Sequence, residues 1–113
     1  MSTNSYIYTD TTTPLAANAT FNGKVWDFVP NSGHTPVDFT FYRASFAADQ
    51  SGTANILYSA DGAQWFLGAT ATVSSLTATH LAVPITTRFY QAQLVNGSLS
   101  QGHVLVATAP TAN

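Results

Sequence analysis

The sequence predicts an all-β domain, an antiparallel β-sandwich of the immunoglobulin-like or jelly-roll type. Three observations support this fold class. Between residues 19 and 108, short runs rich in Val, Phe, Tyr, Thr and Ile alternate with Gly, Pro, Asn and Asp. Turn signals recur roughly every ten residues, which is the spacing of strands in sandwiches and barrels. No window shows the apolar period of about 3.6 residues that is typical of an amphipathic helix.

The strands follow from the apolar runs between turn residues. Eight runs are predicted as strands, at residues 19–22, 24–29, 37–47, 53–59, 64–73, 79–85, 88–95 and 103–108. Pro84 lies inside one of them, and because proline has no backbone N–H to donate, we expect that strand at a sheet edge or with a bulge. In the run at 37–47 the apolar residues change parity near Phe41 and Tyr42. This change indicates either a bulge or a strand that is covered on both faces.

Three dipeptides predict hairpin turns: Asn22-Gly23, Asp61-Gly62 and Asn96-Gly97. Tight hairpins require positive φ angles, which Gly adopts without a steric penalty and which Asn and Asp tolerate. We therefore expect each dipeptide to join two antiparallel neighbours.

A two-residue turn at Asp61-Gly62 fixes the register of its hairpin. It pairs Tyr58 with Trp65 and Ile56 with Leu67, which places these four side chains together on the core face. Leu57 and Phe66 then form an apolar spot on the outer face, where a partner chain or an arm is expected to pack. A three-residue turn would shift every pair.

One sandwich domain accounts for residues 19–108, and polar arms flank it. The chain has 113 residues, which is about one domain. Residues 1–18 and 109–113 have the composition of extended chain, so we expect an N-terminal arm and a C-terminal tail. The N-terminal arm has four sizeable apolar side chains, Tyr6, Ile7, Tyr8 and Leu15. We expect them to anchor on a neighbouring chain, and the alternative is that they fold back on their own domain.

Composition excludes several classes of function. Charged residues make up only 7% of the chain, and the formal net charge is −2. Three Lys and Arg residues cannot form the basic surface that binds nucleic acid. No apolar run approaches the roughly 20 residues that span a bilayer, so no membrane partner is expected. A surface with so little charge favours a protein that is held in a larger assembly.

The residue types that most often act in catalysis or bind metal ions are scarce in this sequence. Without cysteine there is no thiol nucleophile and no Cys-based zinc site. The three histidines, His34, His80 and His103, do not have the spacing of metal ligands. The acidic residues are five aspartates without glutamate, and no Gly-x-Ser-x-Gly motif is present. We therefore expect no enzymatic activity, no metal and no cofactor.

A carbohydrate-binding or host-recognition module remains the alternative function. Such a module needs aromatic side chains exposed on a sheet face, and Trp26 and Trp65 are the main candidates. Most large aromatic residues of a sandwich belong to its core, because each buries a large apolar area. The sequence favours the core for both tryptophans.

Three stretches of the central half of the chain carry a family resemblance. They are "YRASFAADQSGT" at residues 42–53, the S-x-D-G-x-x-W hairpin at 59–65, and "RFY" followed by "VNG" at 88–90 and 95–97. In these stretches the chain resembles small β-sandwich structural proteins of tailed bacteriophage virions. That family supplies no catalytic residues.

The resemblance implies a non-enzymatic component of a virion, made in the cytoplasm of a bacterial host. A capsid decoration (cement) protein is the expected role, with a head-fibre base or a tail accessory domain as further possibilities within the same class. The implied partners are the major capsid protein or other virion proteins. A homo-oligomer is expected, with a trimer favoured because decoration proteins occupy three-fold positions.

Overall fold

A computed structural model describes residues 7–28 and 40–111 of the chain. Within these residues the chain forms nine strands and no helix, and so no helix that is long and apolar enough to cross a membrane. The strands are β1 (Tyr8–Thr11), β2 (Thr20–Asn22), β3 (Trp26–Asp27), β4 (Phe41–Ala48), β5 (Gly52–Ser59), β6 (Phe66–Val73), β7 (Thr79–Pro84), β8 (Phe89–Asn96) and β9 (Val104–Thr108). The expectations for Tyr6 and His34 fall outside the described residues.

The two sheets have the strand order of a jelly roll. One sheet has the order β1-β9-β4-β7, and the other has β2-β8-β5-β6 with β3 also paired to β8. If β2 and β3 count as one interrupted strand, the orders become 1-8-3-6 and 2-7-4-5. Eight strands arranged in this way form the two Greek keys of a jelly roll. The all-β antiparallel sandwich is confirmed, and the strand order selects the jelly roll of the two types expected.

The core lies between the sheets because successive side chains of a strand point to opposite faces. The inward residues of β4 are Tyr42, Ala44, Phe46 and Ala48, and those of β8 are Tyr90, Ala92 and Leu94. The rings of Tyr42 and Tyr90 stack at the centre with centroids 5.4 Å apart. Full burial of a side chain such as Phe46 or Leu94 contributes roughly 1.5–3 kcal/mol to folding.

Strand β7 confirms the interpretation of Pro84. It forms one edge of its sheet and contains Pro84 as its last residue. The predicted runs at 53–59, 79–85 and 103–108 match β5, β7 and β9 to within one residue at each end. β4 pairs with β7 without a shift in register, so the change of parity near Phe41 does not reflect a bulge against β7.

Two of the three predicted hairpins are wrong. Asn22-Gly23 does not reverse the chain, because β2 and β3 both pair with β8. A Cβ on Gly23 would lie 2.8 Å from Asp10 Oδ1. A glycine is therefore needed here because the Asp10 side chain packs closely against the backbone, and not because the chain turns. Asn96-Gly97 leads from β8 to the opposite sheet, because β9 pairs with β1 and β4.

The third dipeptide, Asp61-Gly62, does lie in a hairpin, but its turn is longer than two residues. Asp61 Oδ1 accepts hydrogen bonds from the backbone N–H groups of Ala63 and Gln64, at 2.9 and 3.0 Å. Gly62 has a φ of 79°, as expected for its role. The turn therefore occupies all the residues between Ser59 and Trp65, and β6 begins at Phe66.

The longer turn overturns the predicted register. Tyr58 pairs with Phe66 and Leu57 pairs with Leu67. Leu67 is therefore exposed instead of belonging to the core, and Trp65 precedes the strand.

The described parts of both arms extend the sheets. β1, from within residues 1–18, pairs with β9 across a bulge between Thr9 and Thr11. Leu15 forms an isolated bridge with Gln101, and Thr111 forms one with Phe41. Backbone pairing thus continues beyond residues 19–108 at both ends.

Candidate interaction site

Apolar side chains lie on both faces of the sheet where β6 begins, and we call them the strand-start patch: the half-buried Leu57 with the exposed Phe66 and Leu67. Leu57 and Leu67 are directly paired and so share the outer face of the sheet. Phe66 is 54% exposed and Leu67 is 57% exposed. The Phe66 ring packs against Tyr58 on one side, with centroids 5.7 Å apart. Phe66 therefore lies on the face opposite to Leu57 and Leu67. Large exposed apolar side chains are typical of a contact surface.

A second apolar surface lies at the other end of the sandwich, and we call it the end groove. It has a volume of about 440 Å³ and is lined by Ala47, Ala48, Asp49, Leu76, Ala78, His103, Val104 and Leu105. Its floor comes from the outer face of the β4–β9 pair, where Ala47 is opposite Leu105. Its wall comes from the connection between β6 and β7, which contains Leu76.

Leu76 is the most unusual residue of the end groove. Its side chain is 83% exposed, and its φ of 61° lies in the left-handed region. That conformation costs a residue with a Cβ roughly 1–2 kcal/mol. The Leu76 N–H holds the loop in place by donating to the Ala48 carbonyl at 2.8 Å. An apolar side chain is therefore held out towards solvent in a strained loop, which favours a role in binding.

Polar groups form the rim of the end groove. His103 Nδ1 lies 3.7 Å from Asp49 Oδ2, and the His103 side chain is 93% exposed. Asp49 also accepts a hydrogen bond from the Gly102 N–H at 3.1 Å. An exposed pair of this kind contributes little to stability. Asp49 thus fixes the loop beside the groove, and an apolar centre with a polar rim is the usual arrangement of a protein interface.

The two surfaces lie at opposite ends of one strand. Phe66 is the first residue of β6, and Leu76 follows three residues after Val73, its last. Seven steps of about 3.3 Å give a separation of roughly 23 Å along the strand. The domain therefore presents apolar contacts at two well-separated places.

The apolar residues predicted to anchor the N-terminal arm have different environments. Ile7 is 74% exposed. The Tyr8 ring meets Trp26 edge-on, with centroids 6.0 Å apart. Leu15 is half-buried and packs against the core. Tyr8 and Leu15 therefore make contacts within their own domain, while Ile7 remains accessible.

Neither tryptophan is fully exposed. Trp26 stacks on Phe28 with an interplanar angle of 7°, and its Nε1 donates to Thr108 Oγ1 at 3.0 Å. Trp65 is half-buried in the turn before β6. Trp26 thus makes contacts within its own domain, as the sequence favoured, while Trp65 is only partly covered.

The described aspartates serve structural roles. Asp27 forms a two-pronged ion pair with Arg88, with Nε–Oδ1 and Nη2–Oδ2 distances of 2.9 and 3.0 Å. Asp61 supports its turn, and the hydrogen bonds from the Gln64 and Ala63 N–H groups lower its pKa. Among residues 7–28 and 40–111, no group of three or more His, Cys, Asp or Glu side chains is placed to hold a metal ion.

A small polar cluster lies in the interior beside β1. Burial raises the pKa of Asp10, although the Lys24 backbone N–H and the Thr108 hydroxyl stabilise its carboxylate. Burial, followed by the charge of Asp10, raises the pKa of Tyr42 far above its ordinary value. Asp10 Oδ2 and the Tyr42 hydroxyl have no hydrogen-bond partner in the described part of the chain. The cluster therefore lowers the free energy of unfolding, by an amount that depends on whether Asp10 is protonated.

Comparison with known proteins relates most of the chain to one family. A family model described as "Uncharacterised protein YqxG N-terminal domain" matches residues 1–109. A search of curated protein sequences finds no significant match.

Solved structures share the fold at low sequence identity. The PBSX exported protein XepA, a phage protein, has a TM-score of 0.85 and 22% identity, covering 96% of this chain and 37% of XepA. PirA has a TM-score of 0.54 and 12% identity, with coverage of 95% and 92%. A pilus protein of Bacillus endospore appendages has a TM-score of 0.53 and 10% identity, with coverage of 99% and 91%. The chain thus corresponds to little more than a third of XepA.

Proposed function

Because the chain belongs to the family of the YqxG N-terminal domain, we propose that it acts as a non-enzymatic structural protein of a phage particle. The specific role that we propose is capsid decoration, in which each copy bridges neighbouring capsid subunits. Its partners in this role are the major capsid protein or other virion proteins. The similarity in fold to the phage protein XepA supports the phage setting.

The observation that carries the proposal is the placement of two apolar surfaces at opposite ends of β6. A protein that cements two subunits must contact both of them. It therefore needs two surfaces that are too far apart to be covered by a single partner. The strand-start patch and the end groove meet this need, since they are roughly 23 Å apart along the strand. A catalytic role would instead require convergent polar groups in one pocket.

Burial of these surfaces supplies the energy of binding. Full burial of one Leu or Phe side chain is worth about 1.5–3 kcal/mol, and Phe66, Leu67 and Leu76 are each more than half exposed. Because the protein binds the assembled shell and not free subunits, binding stabilises the shell by mass action. Expansion or rupture of the shell then has to break these contacts first.

The strain at Leu76 provides a sharp test. Asn tolerates the left-handed region better than Leu, so Leu76→Asn should keep the fold while removing the apolar contact. Leu99→Asn is the matched control, because Leu99 is 60% exposed but does not line the end groove. The measurement is binding of each purified variant to phage particles that lack the protein, with thermal unfolding as a check on folding.

We expect Leu76→Asn to bind the particles at least about tenfold more weakly, which corresponds to about 1.4 kcal/mol. Leu99→Asn should bind as the unchanged protein does. Particles without the protein should also release DNA at a lower temperature. Equal robustness of particles with and without the protein would rule out cementing, and saturable binding on a glycan array would favour the carbohydrate-binding alternative.

A further inference from the structure

The two sheets have four edges among the described residues: β1, β7, β6 and the line formed by β2 and β3. An edge strand presents unpaired backbone N–H and C=O groups, which form a template for another strand. Proteins block such edges with short strands, bulges, proline or charged side chains. The four edges of this domain differ in how they are blocked.

Three of the edges are blocked in different ways. β1 has only four residues and a bulge between Thr9 and Thr11. β7 ends with Pro84, which cannot donate to a new neighbour. The line of β2 and β3 is broken between Asn22 and Trp26, and Lys24 lies in the break.

The fourth edge, β6, is the least protected. Its eight residues, FLGATATV, include neither a charged residue nor a proline. Gly68 forms a bulge against β5, but residues 69–73 beyond it pair regularly with β5. Thr70 and Thr72 are exposed on the outer face. In the described part of the chain, β5 is the only strand that pairs with β6.

We propose that β6 is a dimerisation edge. Residues 69–73 of one copy pair antiparallel with the same residues of a second copy, about a two-fold axis at Ala71. The two sheets then join into one continuous sheet. This interface does not depend on the proposed function.

The chemistry of the edge favours a second copy as its occupant. The partner must offer an extended strand with its own free edge and without charge, and the β6 strand of another copy has these properties. A two-fold arrangement satisfies both free edges in one contact. With the axis at Ala71, Thr70 lies opposite Thr72 of the second copy, and Thr–Thr pairs across strands are favourable.

The dimer brings the strand-start patch of one copy to the same end as the Leu76 loop of the second copy. Phe66 is five residues from the axis, or about 17 Å along the strand, so the two strand-start patches lie at opposite ends of the joined strands. Leu76 is also five residues from the axis, on its other side, so it lies beside Phe66 of the second copy and outside the paired residues 69–73. A dimer therefore carries two copies of each surface, which strengthens attachment to a repetitive partner through avidity. Because the paired segment is short, we expect a weak dimer whose population rises as the protein concentration increases.

The test uses charges placed on the exposed threonines of β6. In Thr70→Lys/Thr72→Lys, each lysine lies opposite a lysine of the second copy, so dimerisation should weaken by about tenfold. In Thr70→Lys/Thr72→Glu, each lysine lies opposite a glutamate, so dimerisation should be retained or strengthened. Thr20→Lys, on the β2 edge, should have no effect. The association constant of the full chain is measured by sedimentation equilibrium, and thermal unfolding confirms that each variant is folded.

Two results would overturn the proposal. One is an unchanged protein that stays monomeric at every concentration. The other is an equal effect of the two double variants, which would show that residues 70 and 72 do not face each other across a two-fold axis. Loss of dimerisation with unchanged binding to particles would separate this interface from the decoration role.

Discussion

Gln101 and Asn96 are joined by a buried hydrogen bond, 2.7 Å from Gln101 Nε2 to Asn96 Oδ1. Asn96 Nδ2 in turn donates to the carbonyl oxygens of Leu15, Ala16 and Leu99, at 3.3, 2.8 and 2.9 Å. This pair of amides therefore ties the N-terminal segment to the connection between β8 and β9.

Asn96→Asp should lower the free energy of unfolding by about 3 kcal/mol. A carboxylate cannot donate to the three carbonyl groups, and its negative charge would lie against their oxygen atoms in a buried site. Urea denaturation measures the change. Asn22→Asp is the matched control, since Asn22 is exposed and its Oδ1 accepts from Gln93 Nε2 at 2.9 Å, a role that a carboxylate also fills. Similar losses in both variants would contradict the importance of the buried pair.

Asp10→Asn should raise the free energy of unfolding at neutral pH. Burial raises the pKa of Asp10 above its ordinary value of 3.8. Between the unfolded and folded pKa values, the folded protein binds more protons than the unfolded chain, so its stability falls as pH rises through this window. Asparagine has no such charge, and its Oδ1 can still accept the hydrogen bond from the Lys24 N–H, which is 2.8 Å long with Asp10.

Thermal unfolding of both proteins between about pH 3 and pH 7 tests this expectation. Because all other ionisable groups are the same in the two proteins, the difference between the two curves isolates Asp10. That difference should grow as pH rises above 3.8 and become constant above the folded pKa. If the unchanged protein were more stable than Asp10→Asn at pH 7, the expectation that the Asp10 charge destabilises the folded state would be wrong.

Gly62→Ala should destabilise the hairpin by about 1 kcal/mol, because an alanine at this φ of 79° is strained in the left-handed region. A Cβ there would also lie 3.4 Å from Phe89 Cε2. Gly62→Asn should cost less, since asparagine tolerates the region. Chemical denaturation of the two variants gives the comparison, and an alanine variant as stable as the asparagine variant would contradict the argument.

Local patterns were enough to predict most of the fold. Alternation and turn residues placed the strands from β2 to β9, and Pro84 marked an edge. β1 was missed because its residues, YTDT, carry no apolar alternation. Its pairing depends on β9, whose partners are distant in sequence.

The register of the β5–β6 hairpin could not be read from Asp61-Gly62 alone. Asp61 Oδ1 accepts hydrogen bonds from the N–H groups of the residues two and three positions further on. These local bonds lengthen the turn, and the dipeptide alone does not encode them. The predicted outer-face pair of Leu57 and Phe66 was wrong, because Leu57 pairs with Leu67 and Phe66 pairs with Tyr58 on the opposite face. The end groove was missed, and its one signal was an isolated Leu76 in a run of Ser and Thr.

The pairing of β1 with β9 has a kinetic consequence. Tyr8 lies opposite Thr108, so the sheet that contains them cannot close until the last strand has been synthesised. Folds dominated by such distant pairings reach the native state in milliseconds to seconds, far more slowly than helical bundles. Until β9 docks, β1 and one side of β4 remain without their neighbour on the nascent chain, and we expect this interval to be when the protein is most prone to misassembly.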